Sequence, residues 1–215
     1  MLTIKKYIFN PFLENTYIVS DDESKEAAII DPGCYDDKER ELLSNFITSK
    51  QLRIKYLVNT HCHIDHIFGN SFIKEKYKPI FLAPEEDLFL LDLMVEQANI
   101  YGTQLTPSPK PDEMISDGKE IFIGSSSGKF LFTPGHSPGE FCLYFEKEKI
   151  CFTGDALFNG SIGRTDLWGG DYNTLINSIT NKLFVLDDDV KIYPGHESES
   201  TIGYEKANNP FFREN

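Results

Sequence analysis

Twelve residues, NTHCHIDHIFGN at 59–70, constrain this chain more than any others. Three of its five histidines fall there within six positions, with Asp65 among them. The other two stand far downstream, at His136 and His196. Each of these groups sits where an apolar run ends. IKYLVNT leads to His61, KFLFTPG to His136, KICFTG to Asp155 and VKIYPG to His196. Short apolar runs bounded by turn residues read as strands. Loops at strand ends, on a rigid scaffold, are where convergent ligands belong. The fold therefore has to bring several strand ends together. Gly135, Gly154 and Gly195 stand directly before three of the donors and let the backbone approach closely.

The remaining pattern is a mixture of short strands and helices. LTIKKYIF (2–9), NTYIVS (15–20) and EAAIID (26–31) read as three strands joined by turns. Residues 39–50 have helical spacing, with Leu42, Leu43, Phe46 and Ile47 on one face. A helix is expected over 67–77, a strand over 79–83, and a helix over 84–102 that opens with Pro and acids and closes with Gly. Its Leu and Phe residues are expected to serve mainly as core, with some lining a substrate groove. TPSPKPDE (106–113) reads as a Pro-rich surface loop. Strands over 129–136, 141–146 and 149–155 precede a helix over 171–184. A strand over 190–196 and a terminal helix over 201–212 close the chain. Two sheets covered by helices satisfy this order, as do other α/β arrangements.

Imidazole and carboxylate are ligands for zinc, iron and manganese. A lone histidine is usually a surface or core residue, but here all five lie on strand-end loops. His61, His63, Asp65, His66, His136, Asp155 and His196 are too many for one tetrahedral ion. They suit two divalent ions sharing a bridge, zinc first and iron or manganese as alternatives. Such a pair makes hydroxide available at neutral pH, so the chemistry implied is hydrolysis. Cys62 alternates with His61 and His63 on the loop and is expected to point away, into packing.

Lys and Arg number 21 against 34 Asp and Glu, a formal net charge of -13. That surface repels phosphate backbones, so no nucleic-acid partner is expected. No run approaches the roughly 18–20 apolar residues of a membrane span, and the N-terminus shows no signal-peptide pattern. Cys34, Cys62, Cys142 and Cys151 form no CxxC pair. Cys142 and Cys151 lie in apolar runs and read as buried small hydrophobes. A reducing, cytoplasmic setting is expected. The length, 215 residues, fits one domain spanning 1–215. The oligomeric state is left open.

The set THCHIDH (60–66), PGHSPG (134–139), GD (154–155) and PGH (194–196), with IIDPG (29–33), resembles the metallo-β-lactamase superfamily. The resemblance runs from about residue 2 to 210. It implies a four-layered αββα sandwich with metals at one edge. TGDALF, LFNGSIGRTD, YPGHES and STIGYEKANNPF resemble the glyoxalase II branch, small single-domain bacterial members in particular. Carried over, His61, His63 and His136 would bind one metal and Asp65, His66 and His196 the second, with Asp155 bridging. The implied reaction is hydrolysis of a thioester of the S-D-lactoylglutathione type, or a related small acyl thioester, by a hydroxide held between the metals. Asp65 would orient it and accept a proton, and so is the catalytic candidate. Arg164 matches a basic residue near the glutathione carboxylate and is the substrate-binding candidate. It could equally be a structural arginine paired with Asp166.

Departures from that branch concern the thiol carrier. Larger members add a C-terminal helical domain with basic contacts to glutathione, which this sequence is expected to lack. Asp166 and Ser198 stand where those enzymes usually carry tyrosines. THCH and GRTD also resemble persulfide dioxygenases, which use one ferrous ion held by two His and one Asp. Lactone or β-lactam hydrolysis is a further alternative at the same donor set.

Overall fold

The computed structural model describes residues 1–100, 102 and 106–213. These group into two compact units: Met1–Ile115 with Phe122–Ser126, and Ser116–Ile121 with the residues from Ser127 onward.

The first unit is built on a six-stranded sheet. β1 (Leu2–Phe9), β2 (Glu14–Asp21) and β3 (Glu26–Ile30) form an antiparallel meander, and β4 (Arg53–Val58), β5 (Ile80–Pro84) and β6 (Glu113–Ile115) continue it in parallel. Parallel neighbours need crossovers, and helices supply them here. α1 (Asp37–Ser49) joins β3 to β4. α2 (Ile64–Ile67) and α3 (Asn70–Tyr77) join β4 to β5, and α4 (Leu88–Ile100) leads towards β6. α1 starts where Asp36 caps it, its carboxylate accepting from the Glu39 amide at 2.9 Å. Leu43 and Ile47, four apart on one face, enter a core with Ile18, Ile29, Leu57 and Phe81. Leu42 falls off that stripe and is 56% exposed, contrary to the face expected from the sequence.

The helix expected over 67–77 is α3, which starts three residues later, and the short α2 ahead of it falls on residues expected as loop. The two are separated where Gly69 lies against another segment. Its amide donates to the Pro32 carbonyl at 2.6 Å. A Cβ there would stand 2.5 Å from Cys34 Sγ. The helix expected over 84–102 opens with a 3₁₀ turn, Glu85–Asp87, before α4. Its expected last turn includes Tyr101, which lies outside the described residues. Leu90 and Met94 are core residues.

A second six-stranded sheet includes β7 (Glu120–Ile123), β8 (Ser126–Phe132), β9 (Phe141–Phe145) and β10 (Ile150–Gly154). After the short hairpin of β11 (Leu157–Phe158) and β12 (Ser161–Ile162) come β13 (Lys191–Pro194) and β14 (Ser200–Thr201). The sheet order is β14-β13-β10-β9-β8-β7, with β10 and β13 parallel. α5 (Tyr172–Ser178) is capped by Asp171, which accepts from the Thr174 amide at 2.7 Å. It runs on through a wider π turn, Ile179–Leu183, and α6 (Ile202–Asn208) ends the fold ahead of a 3₁₀ turn at Pro210–Phe212. Leu175, Ile179, Leu183 and Ile202 pack with Cys142, Cys151 and Ile192. The two cysteines are thus buried small hydrophobes, as their apolar runs suggest. Burial pushes the Cys142 thiol well above its ordinary pKa. Among the described residues, no helix is long and apolar enough to cross a membrane.

Candidate metal centre

Four of the expected donors lie in the first unit. β4 delivers Asn59, Thr60 and His61 at its end, and His63 is the N-cap of α2. Asp65 and His66 are on that short helix. Its frame is an amide clasp: Asn70 Nδ2 donates to Asn59 Oδ1 at 2.8 Å, and Asn59 Nδ2 to the His66 carbonyl at 3.2 Å. Both asparagines are fully buried. They are the two ends of NTHCHIDHIFGN, so that stretch is closed by its own termini. Cys62 lies in the core, as alternation predicts. Its amide donates to the buried carboxylate of Asp87 at 3.0 Å.

Asp31, at the end of the neighbouring parallel strand, organises the rings. Its Oδ1 accepts from the Thr60 amide and its Oδ2 from the Thr60 hydroxyl, both at 2.7 Å. The hydroxyl has one proton, and it goes to Asp31. The 3.2 Å contact between Thr60 Oγ1 and His61 Nδ1 is then a donation from the ring. Asp31 Oδ2 also lies 3.3 Å from His66 Nδ1. The His61 ring is thereby assigned the Nδ1–H tautomer, which presents its Nε2 lone pair as a ligand atom. Nitrogens of His61 come within 4.8 Å of nitrogens of His63 and of His66. His66 Nε2 is 3.7 Å from Asp65 Oδ2. Beside this group Glu14 is fully buried, and burial raises its pKa well above the usual carboxylate range, with the His66 ring acting in the opposite direction.

The other three donors lie in the second unit. Asp155 and His196 end the adjacent parallel strands β10 and β13, and the Gly195 amide donates to the Gly154 carbonyl at 2.7 Å. The Asp155 amide donates to buried Glu140 at 3.0 Å. His136 Nδ1 donates to the Arg164 carbonyl at 2.8 Å, which turns its Nε2 to Asp155. That nitrogen is 3.4 Å, and His196 Nε2 3.5 Å, from the same atom, Asp155 Oδ2. Donors bound at ~2.1 Å around a tetrahedral ion are separated by about 3.4 Å. The donor chemistry, the ring tautomers and the spacing within this unit all fit divalent metals.

Tight backbone contacts hold these donors. Gly135 has φ +134°, and a Cβ on it would meet the Leu175 amide nitrogen at 2.3 Å. A Cβ on Gly163 would lie 1.9 Å from the Asp155 carbonyl oxygen and 2.9 Å from His136 Nδ1. Next to it, the Arg164 guanidinium is paired with Asp166 in a two-point contact, Nε to Oδ1 at 2.7 Å and Nη2 to Oδ2 at 2.8 Å. That pairing holds the Asp166 carboxyl down to about 2. Of the two expectations for Arg164, the structure thus displays the paired arginine.

Residues 9–196 match the metallo-beta-lactamase superfamily. The chain belongs to that superfamily. It is 41% identical to the hydroxyacylglutathione hydrolase GloC of Haemophilus influenzae over 93% of each chain. The B3 metallo-beta-lactamase BLEG-1 is a solved neighbour with TM-score 0.90 and 33% identity, covering 99% of this chain and 100% of its own. TTHA1623, solved in a di-iron-bound form, has TM-score 0.85 and 30% identity, covering 96% and 99%. The α/β fold of the metallo-β-lactamase type expected from the sequence is therefore the fold of this chain. The glyoxalase II-like motifs agree with the likeness to GloC. At this level the protein is a hydrolase of a superfamily that binds divalent metals.

Asp31, Thr60, Glu140 and the Asn59–Asn70 clasp were not singled out as parts of the site from the sequence. IIDPG was noticed as a motif, but nothing in the spacing reveals which ring its carboxylate would hold.

Proposed function

We propose that the protein is a metal-dependent thioester hydrolase acting on S-D-lactoylglutathione or a related small acyl thioester. His61, His63 and His136 hold one metal, Asp65, His66 and His196 the second, and Asp155 both, within one domain spanning 1–215. Zinc is the first choice, with iron or manganese as alternatives. The observation that carries this reading is Asp155 Oδ2, a single carboxylate oxygen flanked by two histidine Nε2 atoms at 3.4 and 3.5 Å. That is what a bridging ligand requires. The likeness to GloC supports the thioester as substrate.

A resident pair of divalent ions would acidify water and draw electron density from a carbonyl oxygen. The chain's own residues orient and move protons. Thr60, held by Asp31, fixes the ring of His61, the Asp31 carboxylate lies 3.3 Å from His66 Nδ1, and the Arg164 carbonyl fixes His136. Asp65 Oδ2 takes the proton released as water oxygen bonds the acyl carbon. The carbon–sulfur bond then breaks, and that proton ends on the departing thiolate, giving acid and thiol.

A second reading, β-lactam hydrolysis, is favoured by the likeness to BLEG-1 over 99% of the chain. The test is hydrolysis of S-D-lactoylglutathione and of a chromogenic cephalosporin, before and after chelation and metal return. Chelator-sensitive thioester turnover restored by metal supports the proposal. Lactam turnover alone favours the second reading. Oxygen uptake on glutathione persulfide, without hydrolysis, overturns both.

A further inference from the structure

Resting on the thioesterase reading, we infer that Asp166 sets specificity for the thiol carrier by occupying Arg164, so that carriers without carboxylates are favoured over glutathione. The candidate anchor for a substrate carboxylate stands beside a proposed metal ligand, because the Arg164 carbonyl accepts from His136 Nδ1. Its side chain, however, already faces a carboxylate. Asp166 takes Nε and Nη2 together, the planar edge that would otherwise grip a substrate carboxylate.

The loop bearing the pair is pinned to the His136 segment at both ends. Gly163 lies against the Asp155 carbonyl and the His136 ring, and the Asp171 amide donates to the Gly135 carbonyl at 2.8 Å. A Cβ on Gly169 would also meet Pro138 Cγ at 2.4 Å. The backbone therefore holds the ion pair beside His136, and the substrate meets a neutralised pair rather than a bare cation. Glutathione carries two carboxylates, and at this neutral pair neither finds the open guanidinium edge that would hold it. The net charge of -13 adds a general bias in the same direction.

Both partners are well exposed, at 59% and 70% of their side-chain surface. Discrimination is accordingly modest, about fivefold at most, the upper end for solvent-exposed ion pairs.

The experiment compares D-lactoyl thioesters of glutathione and of uncharged N-acetylcysteamine on the metal-loaded wild type, Asp166→Asn and the double variant Arg164→Gln/Asp166→Asn. The ratio of kcat/KM, glutathione over N-acetylcysteamine, should rise about fivefold in Asp166→Asn, mainly through KM, and shrink with added salt. It should return towards wild type in the double variant. A parallel Kd for S-methylglutathione, which cannot be hydrolysed, should fall by a similar factor in Asp166→Asn. A ratio and a Kd both unchanged within about twofold would overturn the inference. So would absence of S-methylglutathione binding to both wild type and variant. If no thioester is turned over, the thioesterase reading falls, and the Kd comparison alone decides whether Asp166 restrains Arg164.

Discussion

Replacing Gly163 with Ala adds one methyl group where the structure leaves no room for it. The new Cβ would start 1.9 Å from the Asp155 carbonyl oxygen and 2.9 Å from His136 Nδ1. Real Cβ atoms essentially never come closer than 3.0 Å to such neighbours, so the carbonyl has to retreat by about 1 Å. That carbonyl belongs to the proposed bridging residue, and the nearby ring to a proposed ligand. Misplacement of reacting groups by about 1 Å costs on the order of 100-fold in rate. Over-packing of this kind destabilises by about 1–3 kcal/mol. In a chain of this size that lowers Tm by roughly 2–4 °C for each kcal/mol. The assay is kcat/KM for S-D-lactoylglutathione, with metal per chain and Tm measured on the same preparation. A folded variant with lowered metal content and a loss near 100-fold is expected. Full metal content with kcat/KM within about threefold of wild type would refute the reasoning.

Asp31→Asn places an amide NH₂ among groups that now donate to a carboxylate, the Thr60 amide and hydroxyl at 2.7 Å. Metal affinity should fall about 10- to 100-fold, read by competition with a chromogenic chelator, while the fold persists. Glu205 is buried and accepts from the Gly160 amide and Asn209 Nδ2, each at 2.9 Å, and from the Ser200 hydroxyl. Glu205→Ala should cost about 2–4 kcal/mol in urea unfolding, because those donors lose their acceptor. Asp21 is held at about 2 chiefly by the Ser24 amide, with the N-terminal ammonium assisting. Its folded pKa is depressed, so its stabilisation is present above the ordinary value of 3.8 and is lost as pH falls towards 2. Asp21→Asn should be less stable than wild type at pH 7, and the difference should close by pH 2 when both are followed by thermal unfolding.

The strands carrying the donors were legible because β4, β8, β10 and β13 contain compact apolar runs, and histidine is too rare here for its placement to be accidental. β6, β7, β11, β12 and β14 escaped the sequence reading. They are two to four residues long, and a period of two cannot register over so few positions. The break between α2 and α3 was hidden for another reason. The spacing places a helix from 67 and a loop before it, while the approach of Gly69 to Pro32 leaves a short turn of helix at 64–67 and delays α3 to Asn70. The candidate donors were readable by type and position. Their supports were not, since Asp31 reaches Thr60 and His66 across adjacent strands, and Glu140 reaches Asp155 from fifteen residues away. Pairing of Arg164 with Asp166 was one of two alternatives open in the sequence, the other being the substrate contact that the resemblance implies, and the structure displays the pair.

The most direct test of the central proposal is elemental analysis of untreated protein for metal equivalents per chain. Close to two equivalents of zinc, iron or manganese is the result the proposed set of seven histidine and aspartate donors predicts. Less than one equivalent, even after incubation with each of these metals, would contradict it.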